Sequence, residues 1–590
     1  MKIRNAILSA VTLLLAHSSF IFGLPIITNI YPTSGSIAGG TAITITGSGF
    51  TGATAVNFDS TPAAAFLILN DNSVTAVSPP GTPGLVNISI TAPSGTSSNS
   101  LATRYVYTGD WFAYGTNTAT GSVSTINTRN DTVFTFAVGS NPNNIAFSPD
   151  GKKAYVTDSV EFGVHVIDVA TNTIDTFILL SGAPTAIAIA PDGKTAYVVG
   201  FTTTDFMPID LTTNTALLPF QVAESFDLAI APDGKTAYVA GFFANEIIPV
   251  NLATQALGTA IPINMPIGIT ITPDGATAFA TNFSNNLVLP INLASNLPET
   301  TIPVGNNPYG INVAPDNKNV YVANSLSNSV SGINTITRII DNSYLVGNTP
   351  ILLAITPDSK LGYVSNSGSG DVSKIDFATS VVTALPTSTG PAGIAITPDQ
   401  APIASFVTGL GRAGTPSIFD ASSSISPVGT IVKYDWNFGD GVTLSTTSPS
   451  VSHTYAVGGS YIVTLTVTNS AGTSTTVIFT SHMVTNNGGP NASVTQTFVI
   501  APVNPLFEGR AIRNRFLNDT EYVNELVWTT RDTSIVSFKL YRNGKLLETF
   551  PNGSFKYIDH DLKKNKEYVY TLVGISNIGL ETDSMTIVIP

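Results

Sequence analysis

The sequence predicts an all-β protein: a seven-bladed β-propeller flanked by β-sandwiches. Three observations carry this. A Pro-Asp motif begins at residues 149, 191, 232, 273, 315, 357 and 398, with neighbours 41 or 42 residues apart, a period typical of propeller blades. Within each period, short apolar runs alternate with turn residues and no helical pattern intervenes, as expected for four strands per blade. Outside the repeat, short alternating strands are broken by Gly and Pro turns, the pattern of sandwiches.

The best copies are Pro149-Asp150-Gly151-Lys152-Lys153-Ala154-Tyr155-Val156, Pro191-Asp192-Gly193-Lys194-Thr195-Ala196-Tyr197-Val198 and Pro232-Asp233-Gly234-Lys235-Thr236-Ala237-Tyr238-Val239. Pro presets φ, Asp bonds its own backbone, and Gly accepts the left-handed conformation that closes the turn. The apolar run before each motif, such as Ala186–Ala190, is the innermost strand, and the Ala-Tyr-Val run after it is the second. A hairpin such as Ile167-Asp168-Val169-Ala170-Thr171 or Ile375-Asp376-Phe377-Ala378-Thr379 then leads to the outermost strand.

The count predicts how the ring closes. The first second-strand copy, Trp111-Phe112-Ala113-Tyr114, has no innermost strand before it, and the last innermost strand, Gly393–Thr397, has no blade after it. Together they make one blade shared between the two ends of residues 109–400, which removes the open sheet edge. The repeat resembles the YVTN-type β-propeller repeats of microbial surface proteins. That resemblance implies fold and says little about chemistry, since propellers host many functions.

Residues 1–23 read as an export signal: Lys2 and Arg4 precede an apolar stretch from Ala6 to Ala16, too short to span a bilayer comfortably. Cleavage near Ser18–Ser19 or after Gly23 is expected, against an uncleaved anchor extended through Phe20–Phe22. The mature chain is expected to have no membrane-spanning segment. Residues 24–108 show the strands Ala42–Thr46, Ser73–Val77 and Val86–Ile90. Their Pro-x-Ser-Gly, Gly-Gly-Thr and Gly-x-Gly-Phe motifs, at Pro32–Gly35, Gly39–Thr41 and Gly47–Phe50, resemble the immunoglobulin-like TIG/IPT domain. Residues 401–485 centre on Trp436-Asn437-Phe438-Gly439-Asp440-Gly441 and resemble a PKD domain. Thr485–Asn491 reads as a linker. Residues 496–590, with Trp528, the Asn543-Gly544 turn and Tyr568–Ile575, resemble a fibronectin type III sandwich by pattern. Both of these are immunoglobulin-like folds.

Composition narrows the function classes. Charged residues are only 11% of the chain and the net charge is −13, which disfavours nucleic acid and anionic lipid surfaces. The last 90 residues carry about equal numbers of each sign. The absence of cysteine excludes disulfides, thiol nucleophiles and Cys-ligated metals. Gly409–Gly414 has the literal dinucleotide-binding spacing but no βαβ context, so it reads as a loop. The five histidines show no metal spacing. Asp435 and Asp440 read as turn caps in preference to Ca²⁺ ligands, and the Asp of each Pro-Asp motif as a turn residue. No cofactor, metal or catalytic residue is expected.

Propeller enzymes place their chemistry where the innermost strands begin. Those positions hold Asn144, Ala186, Asp227, Gly268, Gly310, Leu352 and Gly393, preceded by Asn143, Thr185, Phe226, Ile267, Tyr309, Ile351 and Ala392. One carboxylate among them is poor material for a metal or acid–base centre. Phe226, Asp227, Ile267, Tyr309 and Ile351 are instead the candidate partner-binding residues. The expectation is an exported, non-enzymatic surface or secreted protein that binds other proteins or carbohydrate outside the cell. The alternatives are an exported lactonase-like hydrolase and a self-assembling surface-layer component.

Overall fold

A computed structural model of the chain describes residues 23–515, 520–560 and 562–590; the expected export signal lies outside them but for Gly23. Two compact units form. One comprises residues to 401 with 426–429 and 470–488; the other comprises 402–425, 430–469 and 489–590.

The first unit holds the propeller, which consists of seven sheets, each ordered outward from an innermost strand. In chain order the innermost strands are Pro142–Phe147, Ala186–Ile189, Ser225–Ile230, Pro266–Ile271, Pro308–Val313, Pro350–Ile355 and Pro391–Ile396, here blades one to seven. Each neighbours the next, and Pro391–Ile396 neighbours Pro142–Phe147, so the ring closes. Blade seven is the shared one: Pro391–Ile396 pairs antiparallel with Phe112–Asn117, Ala113 standing opposite Ile396.

The turn chemistry follows the motif in six blades. Gly151, Gly193, Gly234 and Gly275 sit at φ of 68° to 70°, and Asn317 and Ser359 take the same conformation. In each, an Asp carboxylate accepts the amide two residues on, as Asp150 does from Lys152 and Asp358 from Lys360. The seventh motif departs from the expected row of identical turns. Asp399–Gln400 is a strand paired parallel with Asn486–Asn487, and Asp399 accepts the Trp111 indole N–H at 3.1 Å. The chain has to leave the ring here, so no second strand follows to close a turn.

The same unit contains a sandwich of two sheets. Ile26–Tyr31, Ala42–Ser48, Ser73–Val77 and Ala65–Asn70 form one, and Arg104–Thr108, Gly84–Ala92 and Ala55–Phe58 lie in the other. Ile43, Ile45, Phe50, Ile88, Ile90 and Tyr105 fill its core, alternating along their strands as a period-2 pattern requires.

The second unit holds two more sandwiches. In the first, Trp436 and Phe438 are buried among Phe406, Phe419, Tyr455 and Phe498. Beyond the expected 401–485, Ser493–Ala501 pairs along Gly459–Asn469 as an inner strand of that sheet, burying Phe498 and Ile500. The expected linker is likewise structured, with Val484–Asn487 a strand of the propeller unit. The last sandwich sets Leu506–Arg515, Thr520–Thr529 and Lys556–Asp559 against Lys545–Pro551, Ile535–Arg542, Tyr568–Ser576 and Met585–Ile589 around Trp528, Phe538, Leu540 and Tyr570.

Candidate functional site at the propeller mouth

Each innermost strand is antiparallel to its second strand. One face of the ring, the mouth, therefore gathers the starts of the innermost strands and the loops joining second to third strands. The Pro-Asp turns lie on the opposite face. The five sequence-predicted residues separate here. Phe226, Tyr309 and Ile351 are half-buried at the mouth, whereas Ile267 is only 4% exposed and belongs to the wall. Asp227 is buried and already engaged. Both are buried, and position along the strand does not reveal what fills the channel.

A segment of the chain's own fills it. Residues 470–488 pack with the propeller, burying Phe479 and Val484 against Ala188, Leu228 and Ile230. At the tip, the Ile189 amide donates to the His482 carbonyl at 2.7 Å and the Ile230 amide to the Ser481 carbonyl at 2.8 Å. Ser481 Oγ meets Thr270 Oγ1 at 3.0 Å, and Asn486 Nδ2 donates to the Pro357 carbonyl at 3.2 Å. The contacts fall near the Pro-Asp ends of the innermost strands, so the segment closes that end. Its imidazole reaches further: His482 Nε2 lies 3.0 Å from Asp227 Oδ1, while Asp227 Oδ2 accepts the Ile269 amide at 3.0 Å. A residual cavity of about 60 Å³ is lined by Asn144, Asp227, Asn312, His482, Met483 and Thr485 among others.

The electrostatics match this geometry. Burial pulls the His482 imidazole down, but the Asp227 charge and hydrogen bond outweigh it and hold its pKa above the ordinary histidine value. Burial, and secondarily the Asp227 charge, push the Tyr309 phenol up to about 12, so it stays neutral. Asp227 and His482 form a closed pair held by the protein itself.

On the solvent side of that pair lie aromatic rings. Phe226 packs on Phe201 (centroids 4.3 Å apart) and Phe242 (5.0 Å), and Phe201 on Phe243 (5.3 Å). Tyr309 bridges Phe226 at 6.2 Å and Phe283 at 6.4 Å. Phe243 is 58% exposed, and Phe162 and Leu326, in the equivalent loops of blades one and five, are exposed as well. Reading the innermost strands alone missed Phe201, Phe242, Phe243 and Phe283. The signal was present, since each follows its second strand directly, in Gly200-Phe201, Gly241-Phe242-Phe243 and Asn282-Phe283.

Other sequence candidates take structural roles. Asp440 accepts the Val442 amide at 3.1 Å and pairs with His453 at 2.7 Å, while Asp435 pairs with Lys433. Gly411–Arg412 lies in a short strand.

Residues 25–107 match the IPT/TIG domain family and residues 399–484 the PKD domain family. A 100-residue stretch is 41% identical to the pre-pro-metalloprotease PrtV of Vibrio cholerae serotype O1, covering 16% of this chain and 10% of that protein. A 70-residue stretch is 40% identical to a microbial collagenase of Vibrio alginolyticus, covering 12% and 8%. The chain thus spans about a tenth of the length of these relatives. Among solved structures, a functionally unknown protein from Desulfotomaculum acetoxidans aligns at TM-score 0.45 and 18% identity, covering 49% of this chain and 99% of its own. A putative 6-phosphogluconolactonase from Bacteroides uniformis aligns at 0.42 and 17%, covering 49% and 100%. Among the described residues no helix is long and apolar enough to cross a membrane.

Proposed function

We propose that the chain is an exported, non-enzymatic surface or secreted protein that binds a protein or carbohydrate partner through the mouth of its propeller. The observation that carries this is the row of rings, Phe201, Phe226, Phe242, Phe243, Phe283 and Tyr309, held on loops and innermost-strand starts of consecutive blades. A closed ring fixes such loops in relation to one another, so ordering them costs little on binding. Clustered apolar side chains facing solvent mark contact sites, and aromatics dominate interface energetics. The likeness of short stretches to a pre-pro-metalloprotease and a collagenase supports a role outside the cell, where collagen lies. The repeats read as YVTN-type and the last sandwich as fibronectin type III, spacers in keeping with a surface protein.

The test is adherence of the full-length chain to surfaces coated with matrix protein or polysaccharide. Phe226→Ser with Phe243→Ser is expected to abolish adherence while the chain still melts cooperatively. Unchanged adherence in the folded double variant removes the mouth from consideration.

A further inference from the structure

Blade one differs from its siblings at two positions. In blades five, six and seven the second strand ends in Asn324, Asn366 and Asn117. Seven residues on, in the third strand, stand Ser331, Ser373 and Ser124. Each Asn Nδ2 donates to that Ser Oγ, at 3.0, 2.9 and 3.0 Å. In blade one the same two positions, in the same register, hold Asp158 and His165, and the loop between them supplies Glu161.

The two carboxylates are held in place. Asp158, wholly buried, accepts the Ser140 and Asn141 amides on Oδ2 at 2.7 and 2.9 Å, and the Val160 and Glu161 amides on Oδ1 at 3.0 and 2.9 Å. Glu161 Oε1 accepts the Ser140 hydroxyl at 2.7 Å. The imidazole is not satisfied in this way. The His165 side chain is 7% exposed and lies against Phe177, yet neither of its ring nitrogens has a hydrogen-bond partner. Its Nε2 lies close to the carboxylates, 3.3 Å from Glu161 Oε2 and 3.9 Å from Asp158 Oδ2. A buried polar group without a partner is costly. The backbone beside the cluster is also bare: a Cβ on Gly139 would fall 2.3 Å from Asp158 Oδ2 and 2.5 Å from His165 Nε2, so glycine keeps the space next to both atoms open.

We propose that Asp158, Glu161 and His165 bind a divalent transition-metal ion of the zinc or manganese class at the rim of the mouth. One ligand atom from each lies within 4.8 Å of the others, close enough for bonds of about 2.0–2.2 Å after small side-chain adjustment. One imidazole with two carboxylates suits these ions better than calcium, which takes oxygen ligands alone. The ion satisfies the orphaned Nε2 and balances two carboxylates. Glu161, about one-third exposed, leaves the side through which water completes the coordination. Bound there, the ion ties down the loop that carries the exposed Phe162.

The siblings supply the control. Asp158→Asn with His165→Ser installs the Asn–Ser pair that blades five to seven already fold with. Full-length chain freed of metal with EDTA is titrated calorimetrically with ZnCl₂ and MnCl₂, and melted with and without each. The unaltered chain is expected to take up one equivalent of at least one of these ions and to melt higher with it. The double variant gives up one of the two oxygens that accept the Ser140, Asn141, Val160 and Glu161 amides, so it is expected to melt somewhat lower than the unaltered chain does in EDTA, to gain nothing on adding either ion, and to lose that equivalent. Glu161→Gln, on the open side, is expected to weaken uptake at least about tenfold, and it decides the matter if the double variant fails to fold. No saturable uptake by the unaltered chain, or an equivalent kept by the folded variants, overturns the proposal.

Discussion

The two ends of the propeller channel are built from the same repeat and finished in opposite ways. At the Pro-Asp end the chain's own segment 470–488 satisfies backbone amides and pairs His482 with Asp227. At the mouth, Phe201, Phe226, Phe243 and Tyr309 cluster, and Phe243 is 58% exposed. A polar interior needs partners to be tolerable, whereas apolar rings at a surface are tolerable alone and more favourable when covered. The difference teaches which end the chain finishes with its own residues and which end it leaves facing solvent.

The strongest challenge to this comparison removes the ring that defines both ends. Deleting 390–400 strips the innermost strand from blade seven and leaves Phe112–Asn117 with an open edge. The truncated chain is expected to lose the propeller's cooperative transition and to aggregate; a calorimetric transition as sharp as before, at an unchanged temperature, would show that the shared blade is dispensable. Next in size is the closed end. Asp227→Ala leaves His482 and the Ile269 amide without their acceptor. The expected loss is on the order of 3 kcal/mol, the low end for breaking a buried pair, because both side chains border the small cavity. Urea denaturation measures it, and a loss below about 1 kcal/mol would place the plug outside the stabilising core.

A smaller effect is pH-dependent. The folded-state pKa of His482 is raised, so the pair's contribution is fully present below the unfolded value near 6.5 and is lost as pH rises through the raised folded value. The melting temperature of the chain relative to His482→Gln is therefore expected to be most favourable at pH 5.5–6.5 and to converge at alkaline pH. A difference independent of pH would mean that His482 acts by packing alone. Least of all, Phe243→Ser at the open end is expected to change stability by less than about 0.5 kcal/mol, against the large loss of adherence expected when it is combined with Phe226→Ser. A substantial loss of stability from Phe243→Ser would make the mouth a core like the other end.

Some of this was legible beforehand because it is local. Pro149-Asp150-Gly151 and its copies encode a turn through the φ preferences of three residues, and Ala196-Tyr197-Val198 encodes a strand through alternation. Reading histidines by their spacing from one another passed over His165, whose proposed partners are carboxylates four and seven residues away. That separation has meaning only once a hairpin folds Asp158 beside it. Reading the mouth from innermost strands alone likewise found Phe226 and Tyr309 but passed over Phe201 and Phe243, which reach the same face from a neighbouring loop.

By itself the sequence determined the strands, six of the seven Pro-Asp turns, the shared closing blade and the all-β class, because period and turn chemistry act over a few residues and repeat in register. The tertiary structure alone decided where 470–488 goes. The backbone of Thr480–Thr485 carries the same donors and acceptors as any strand, so nothing in its composition tells the sheet of its own sandwich from the propeller channel. The choice fell to complementarity between distant residues: Ser493–Ala501 took the place along Gly459–Asn469, and Asp227 and the Ile189 and Ile230 amides received the segment left over.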